Sequence, residues 1–87
     1  MAIVKRVQND TRERATLRHP MIASVEFAWR DGESLVMVLF DPVKKDSCPY
    51  WLTCGLKLEA DRPQMVGVNL ARNMWDEFVR QGWEDAP

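Results

Sequence analysis

The sequence contains few of the groups from which small proteins build catalytic or metal-binding sites. It has one histidine, two cysteines and four scattered glycines in 87 residues. A phosphate-binding loop needs clustered glycines, and a structural zinc site needs four ligands, commonly including a CxxC pair. His19, Cys48 and Cys54 do not fit that pattern, because the two cysteines are six residues apart. We therefore expect no metal, no cofactor and no catalytic activity.

An excess of one charge and a long apolar run are also lacking. Twelve basic residues against thirteen acidic ones give a net charge of −1, which argues against a strongly cationic nucleic-acid coat. The longest apolar run, 35–40, is far shorter than the ~18 residues of a membrane span, and the first residues lack the apolar region of a secretory signal. We expect one domain, residues 1–87, in the reducing cytoplasm and without membrane contact.

The balanced charge is unevenly distributed along the chain. Residues 1–20 hold five lysines and arginines against two carboxylates, a net charge of +3. Residues 59–87 hold three arginines against six carboxylates, a net charge of −3. Such asymmetry is typical of a nucleic-acid-binding arm, or of two ends that attract each other in the folded chain.

Alternation of apolar and polar residues predicts strands in the first half of the chain. Residues 2–8 form one predicted strand, followed by a turn. Residues 11–18 alternate in a way that favours an edge strand, although a short helix capped by Asp10 is the competing interpretation. Residues 21–30 alternate clearly. Residues 34–40 are apolar on both faces, which is typical of a central strand covered on both sides.

Turn signals separate the predicted strands. Asp31 and Gly32 predict a type I′ hairpin turn, which needs positive φ at both of its central residues. A loop at 42–49 precedes a predicted strand at 50–59, and residues 65–69 predict a last short strand. The inward side of the strand at 50–59 would consist of Leu52, Cys54, Leu56 and Leu58.

Residues 70–81 predict an amphipathic helix, because their apolar residues recur three and four positions apart. The apolar stripe comprises Leu70, Ala71, Met74, Trp75, Phe78 and Val79. Asn69 is a suitable N-cap, and Gly82 suits the left-handed position that follows a helix. Trp83 would then contact Phe78, which is the hydrophobic pair of a Schellman motif.

These elements predict an α+β fold, with an antiparallel sheet of four to five strands followed by one C-terminal amphipathic helix. Residues 84–87 are expected to form a loose tail. The helix would cover one face of the sheet. Because the strand at 34–40 is apolar on both sides, the other face also needs cover, from a barrel-like curl or from a second subunit. A homodimer is one way to supply it.

The segment Val66-Gly67-Val68-Asn69-Leu70-Ala71-Arg72-Asn73-Met74-Trp75-Asp76-Glu77-Phe78 resembles the last strand and helix of the transcriptional positive-coactivator family. The resemblance covers residues 66–80. It implies a curved antiparallel sheet, a dimer and binding of single-stranded DNA. The chain departs from the family pattern at Val66, where the family has a basic residue before the glycine, and its strands carry few lysines and arginines.

Binding of single-stranded nucleic acid is therefore one functional hypothesis. Proteins of this class combine cations that follow the phosphates with aromatic side chains that stack on bases. If residues 11–18 pair with 21–30, the chain offers one candidate stripe of four arginines. The stripe consists of Arg12, Arg14, Arg18 and Arg30. The competing interpretation is that the strand aromatics, such as Phe27 and Trp29, belong to the core.

Docking on a protein partner is the favoured hypothesis. Four tryptophans and five methionines are many for this length, and both types are enriched in the cores of protein interfaces. Trp29, Trp75 and Trp83 have expected structural positions, whereas Trp51 lies beside Tyr50 at the junction of a loop and a strand. Lys44 and Lys45 precede this pair. The sequence thus predicts a small non-catalytic regulator or inhibitor, by analogy with phage-encoded regulators of this size, with these four residues as its partner-binding surface.

Overall fold

The computed structural model describes residues 12–86, so the predicted strand at 2–8 and its turn lie outside the described residues. Within this range the chain forms seven strands and one α-helix, with a 3-10 turn between the third and fourth strands. The elements are β1 (Glu13–His19), β2 (Ala23–Trp29), β3 (Leu35–Pro42), the 3-10 turn (Lys45–Ser47), β4 (Tyr50–Trp51), β5 (Lys57–Leu58), β6 (Gln64–Gly67), α1 (Val68–Arg80) and β7 (Glu84–Ala86).

Five of the strands form one antiparallel sheet in the order β6-β3-β2-β1-β7, and β4 pairs with β5 in a separate hairpin. The predicted class is confirmed: the fold is α+β, with a five-stranded antiparallel sheet and one helix in the C-terminal part.

The inner face of the sheet is the one covered by α1. The alternation of β2 directs Ala23, Val25 and Phe27 to this face, where each is at most 3% exposed. The neighbouring strands add a matching apolar set, because their register places like faces opposite each other. This set consists of Leu17, Val36, Val38, Phe40 and Val66. Removing these side chains from water is the main stabilising contribution to the fold, at roughly 25 cal/mol per Å² of apolar area.

The outer face of the sheet is opposite the helix. Its exposed apolar residues lie on β3 and β6, where Leu35 is 47% exposed and Met65 is 54% exposed, whereas Ala28 of β2 is 2% exposed. The prediction of a central strand is confirmed, because β3 pairs with β2 and with β6. Its second side is only partly covered within residues 12–86: Met37 and Leu39 are partly buried, and β6 and β7 form the two edges of the described sheet. A second subunit on this face stays a prediction.

Strand β1 resolves the ambiguity at residues 11–18 in favour of a strand. All seven of its residues pair with β2, so the competing helix is wrong. The strand is not at the sheet edge, however, because its residues 16–18 also pair with β7. The expected loose tail at 84–87 is therefore corrected for Glu84–Ala86. After α1 the chain turns back to the sheet, where the backbone of β7 pairs with the free side of β1 and satisfies its N–H and carbonyl groups.

The hairpin between β2 and β3 is confirmed, but its turn differs from the predicted type. Gly32 has φ of 85°, whereas Asp31 is not among the residues with positive φ. The N–H of Glu33 donates to the carbonyl of Arg30 at 3.1 Å, which closes a four-residue turn. Positive φ at the third position alone is the requirement of a type II turn, not of type I′.

The predicted strand at 50–59 is wrong. Only β4 and β5 are extended, and residues 52–56 turn back between them, with Gly55 at φ of 93°. Leu52 closes this turn by donating to the carbonyl of Leu56 at 3.0 Å. The hairpin buries Leu52 and Leu58 against the inner face, while Cys54 is exposed rather than inward. A glycine in the left-handed region interrupts an apolar alternation that would otherwise continue.

Helix α1 begins two residues before the predicted start and ends one residue before the predicted end. Gly67 is its N-cap in place of Asn69, and no side chain caps its first turn. The motif predicted after its last turn is confirmed. Gly82 has φ of 94° and donates to the carbonyl of Val79, while Trp83 donates to the carbonyl of Phe78, both at 3.1 Å. These are the two hydrogen bonds of a Schellman motif.

Candidate functional site

Trp51 is the most exposed of the four tryptophans. It lies on β4 with 61% of its surface exposed, whereas Trp83 is 3% exposed and Trp29 and Trp75 are partly buried. The ammonium group of Lys57, on the paired strand β5, lies 5.9 Å from the centre of the Trp51 ring. A cation over an indole face contributes only about 0.5–1 kcal/mol at an exposed site. The structure therefore places a large apolar side chain in water.

The other side chains of the predicted partner surface lie in the loop before β4. Lys44 and Lys45 are exposed, and so is Val43, at 56%. The loop is attached to the body of the protein at Val43, whose N–H donates to the carbonyl of Ile22 at 2.9 Å. Residues 43–58 carry three lysines and one aspartate, a net charge of +2 in a chain of net charge −1. We call the exposed side chains Val43, Lys44, Lys45, Trp51 and Lys57 the Trp51 surface.

Tyr50, the fourth residue of the predicted surface, belongs instead to an aromatic cluster beneath it. Its ring stacks on Phe78 at 5.7 Å between centroids and also contacts Phe40 at 5.6 Å and Trp83 at 5.7 Å. Its hydroxyl donates to the side-chain carbonyl of Gln81. Burial raises the pKa of Tyr50 above its usual value, and the nearby charge of Glu77 raises it further. Tyr50 thus holds the β4–β5 hairpin on the helix.

Glu77 attaches the same hairpin to α1 through polar contacts. It is 7% exposed, and its carboxylate accepts from the Thr53 hydroxyl at 2.7 Å and from the Thr53 N–H at 3.2 Å. The side chain of Gln81 donates to it at 3.3 Å. The sequence predicts a solvated position here, because Glu77 lies beside Asp76 outside the apolar stripe. No signal in the sequence shows a partner 24 residues away.

Three of the four arginines of the nucleic-acid hypothesis share the outer face of the sheet, and Arg30 lies apart from them. Arg14 and Arg18 alternate with the buried Leu17 and so lie on the outer face, where Arg14 pairs with Glu26 at 3.0 Å. Arg12 reaches Met37 of the same face at 3.7 Å. Arg30 lies at the β2–β3 turn, beside the helix.

Stacking platforms are also absent from the outer face within the described residues. The strand aromatics Phe27 and Phe40 are buried on the inner face, at 3% and 1% exposure. A single-strand binder needs cations and aromatic rings on one surface. Within the described residues the outer face thus offers three arginines but no aromatic ring beside them, and binding of single-stranded nucleic acid stays a prediction.

The candidate metal ligands His19, Cys48 and Cys54 are not grouped into one site. Cys48 is partly buried and Cys54 is exposed, and both are free thiols. The His19 ring packs against Trp83 at 5.9 Å and accepts from the N–H of Met21 at 3.3 Å. No group of three or more histidine, cysteine or carboxylate side chains is placed to hold a metal ion anywhere in residues 12–86.

A cavity of about 480 Å³ lies between the N-terminal half of α1 and the β2–β3 hairpin, and sequence reasoning missed it. Its apolar walls are Ala15, Phe27, Trp29, Val36, Val68, Ala71 and Trp75. Four charged residues surround its mouth: Arg30, Asp31 and Glu33 from the turn, and Arg72 from the helix. The sequence placed Trp29 and Trp75 in the core. Both are partly buried, because each presents part of its surface to this space.

Comparison with known proteins adds no assignment to these sites. No family model, curated protein or solved structure matches the chain. The likeness of residues 66–80 to the positive-coactivator family therefore stays a prediction. Among the described residues, no helix is both long enough and apolar enough to cross a membrane.

Proposed function

We propose that this protein is a small non-catalytic regulator that acts by docking on a protein partner through the Trp51 surface. The observation that carries the proposal is the 61% exposure of Trp51 on a hairpin that is itself firmly attached to the core. Tryptophan is among the residues that most often dominate binding energy at protein interfaces. An indole held in water on a rigid support loses little conformational freedom when a partner covers it.

The charge around Trp51 indicates the chemistry of the partner. Lys57 lies against the ring, and Lys44 and Lys45 are exposed in the preceding loop. A complementary surface would offer an apolar pocket for Trp51 with carboxylates around it. Contacts between rim charges mainly accelerate association, whereas burial of the indole supplies most of the affinity.

Affinity capture from the native host, followed by measurement with the purified partner, tests this proposal. Trp51→Ala should raise the Kd at least about 30-fold, which corresponds to the ~2 kcal/mol expected of a dominant interface residue. Leu35→Ala is a matched control, because Leu35 is also a large exposed apolar side chain, at 47%, but lies at the start of β3, whereas Val43 directly follows the end of that strand. It should leave the Kd unchanged.

Two further measurements separate a loss of docking from a loss of folding. Lys44→Glu with Lys45→Glu should slow association more than it speeds dissociation, because it reverses rim charges. Thermal unfolding of Trp51→Ala should match the wild type, which shows that the loss is one of binding. Equal affinities of Trp51→Ala and wild type would refute the proposal. Salt-sensitive binding of a single-stranded oligonucleotide in place of a protein would favour the nucleic-acid hypothesis.

A further inference from the structure

The cavity at the N-terminal half of α1 has the walls of a site for a flat aromatic group. Phe27 and Trp75 meet edge to face, with ring centroids 5.3 Å apart, and form one corner of it. Trp29 lines the cavity without a ring contact to another described aromatic residue. Aromatic rings prefer offset or edge-to-face neighbours, so a further ring in this space would gain contacts beyond simple burial. The volume, about 480 Å³, lies in the range of small-ligand pockets.

The helix side of the mouth favours a negative charge. The first turn of α1 has no side-chain cap and no acidic residue, so its N–H groups carry an uncompensated positive dipole. Arg72 adds a positive charge within the second turn, and no described carboxylate lies within ion-pair distance of it. Arg72 and the positive end of the helix dipole would both attract an anion on this side of the cavity.

The turn side of the mouth is more nearly neutral. Arg30 and Glu33 lie 3.9 Å apart and largely cancel each other, while Asp31 is exposed. A wholly anionic ligand would meet Asp31 and Glu33 there. A peptide segment fits both sides of the mouth if its aromatic side chain enters the cavity and a single acidic group points toward Arg72.

We propose that this cavity receives an aromatic side chain of the protein partner, with a carboxylate beside it directed at Arg72 and the first turn of α1. The inference rests on the proposed function, in that it assumes a protein partner. It assigns a second anchoring point, near the opposite end of the helix from the Thr53–Glu77 contact that holds the hairpin of the Trp51 surface.

Two matched small probes test the site on the isolated protein. N-acetyl-tryptophan and its amide carry the same ring, and only the first has a carboxylate. Titration of isotope-labelled protein by NMR should give saturable shifts at Gly32, Ala71 and the Trp29 and Trp75 indoles with both probes. The carboxylate form should bind up to about fivefold more tightly, the gain expected of an exposed ion pair.

Three variants assign the effect to its residues. Arg72→Gln should abolish the preference for the carboxylate while leaving binding of the amide intact, and its exposed position protects the fold. Trp29→Ala should weaken both probes about tenfold. Trp51→Ala should change neither, so failure at the cavity is distinguishable from failure at the Trp51 surface.

Several results would overturn the inference. These are the absence of saturable shifts with either probe, shifts confined to residues 43–58, and retention of the carboxylate preference in Arg72→Gln. A third probe, adenosine monophosphate, addresses the nucleotide alternative. If it binds at the cavity more tightly than N-acetyl-tryptophan, the site belongs to a nucleotide and the inference is wrong.

Discussion

The two ends of α1 are both surrounded by aromatic side chains, yet one is closed and the other is open. At the C-terminal end, Phe78 and Trp83 are at most 3% exposed, with ring centroids 4.6 Å apart, and Tyr50 packs on both. At the N-terminal end, Trp29 and Trp75 are partly buried and line a cavity of about 480 Å³. Aromatic content therefore does not determine which end is packed.

The difference comes from which side chains pack against the helix at each end. At the C-terminal end, the Schellman turn directs Trp83 back onto Phe78, and the β4–β5 hairpin adds Tyr50 and Thr53. At the N-terminal end, the turn that follows β2 supplies Gly32 and three charged residues to the cavity, and no large apolar side chain. The closed end holds the fold together, and the open end is available for a ligand.

Replacing one tryptophan at each end with alanine tests this comparison, and it should change the free energy of unfolding more than any other variant considered below. Trp83→Ala should lower the free energy of unfolding by about 3–5 kcal/mol, because it leaves a void in a closed cluster. Trp75→Ala should cost markedly less, because water already reaches its site. Denaturant unfolding measures both.

Trp83→Phe serves as a milder variant where the alanine variant does not fold, since a domain of this size has only some 5–10 kcal/mol of stability. Equal losses at the two ends would contradict the distinction between a closed and an open end.

The carboxylate of Glu77 gives a second test at the closed end. Glu77→Ala should cost about 2 kcal/mol, because the Thr53 N–H and hydroxyl then lose their acceptor in a partly buried position. Asp76→Ala is the matched control, since Asp76 is the exposed neighbour on the same helix, and it should change stability by less than about 0.5 kcal/mol. Urea unfolding midpoints compare the two. A loss for Asp76→Ala as large as that for Glu77→Ala would indicate a general charge effect in place of the anchor.

The contrast between the two ends was only half predictable from the sequence. Local signals specified the closed end: glycine at position 82 and an aromatic residue on each side of the stop predict the Schellman motif and the Phe78–Trp83 contact. The same reasoning failed at 50–59, because alternation cannot show that Gly55 adopts positive φ and turns the chain back. It also missed the bond between Thr53 and Glu77.

The open end could not be predicted for a similar reason. Periodicity assigns Trp29 and Trp75 to the apolar side of their elements, and both do lie there. Whether a third element fills the space between them depends on tertiary packing, which no local pattern encodes. Trp51, by contrast, stands at a loop junction with no periodic partner, which is why the sequence singled it out. The packing of Tyr50 on Phe78 and Trp83 has no such local signal.

The two ends of α1 also differ in the backbone conformation of the glycines that flank the helix. Gly82 follows the closed end with φ of 94°, and Gly67 caps the open end with φ of −68°. A Cβ at either position would meet no atom within 4 Å, so sterics with neighbours do not distinguish them.

Gly82→Ala should cost about 1–2 kcal/mol for the left-handed conformation alone. Gly67→Ala should cost less than half as much, because alanine adopts its φ freely. Thermal unfolding of the two variants measures the difference. Equal losses would show that left-handed strain is not what fixes the stop of the helix.

The smallest expected effect concerns the only tyrosine of the chain, and it depends on pH. Burial at the closed end raises the pKa of Tyr50, and the charge of Glu77 adds to this. The unfolded chain ionises its tyrosine near pH 10, before the folded chain does, so stability from the neutral phenol is complete below that pH. It is lost as pH rises through the folded pKa. Tyr50→Phe has no phenol to ionise, and at neutral pH it should cost only about 1 kcal/mol, for the hydrogen bond to Gln81.

The difference in unfolding free energy between wild type and Tyr50→Phe should therefore shrink above pH 10, while the contributions of lysine titration cancel between the two proteins. The ultraviolet absorbance of tyrosinate reports the ionisation directly, and its midpoint in the folded protein should lie above 10. A midpoint at or below the ordinary value, with a constant stability difference, would mean that water reaches the Tyr50 hydroxyl freely. The C-terminal end of α1 would then be more open to water than its ring contacts indicate. The two ends would differ mainly in the left-handed backbone conformation at Gly82, and less in their access to solvent.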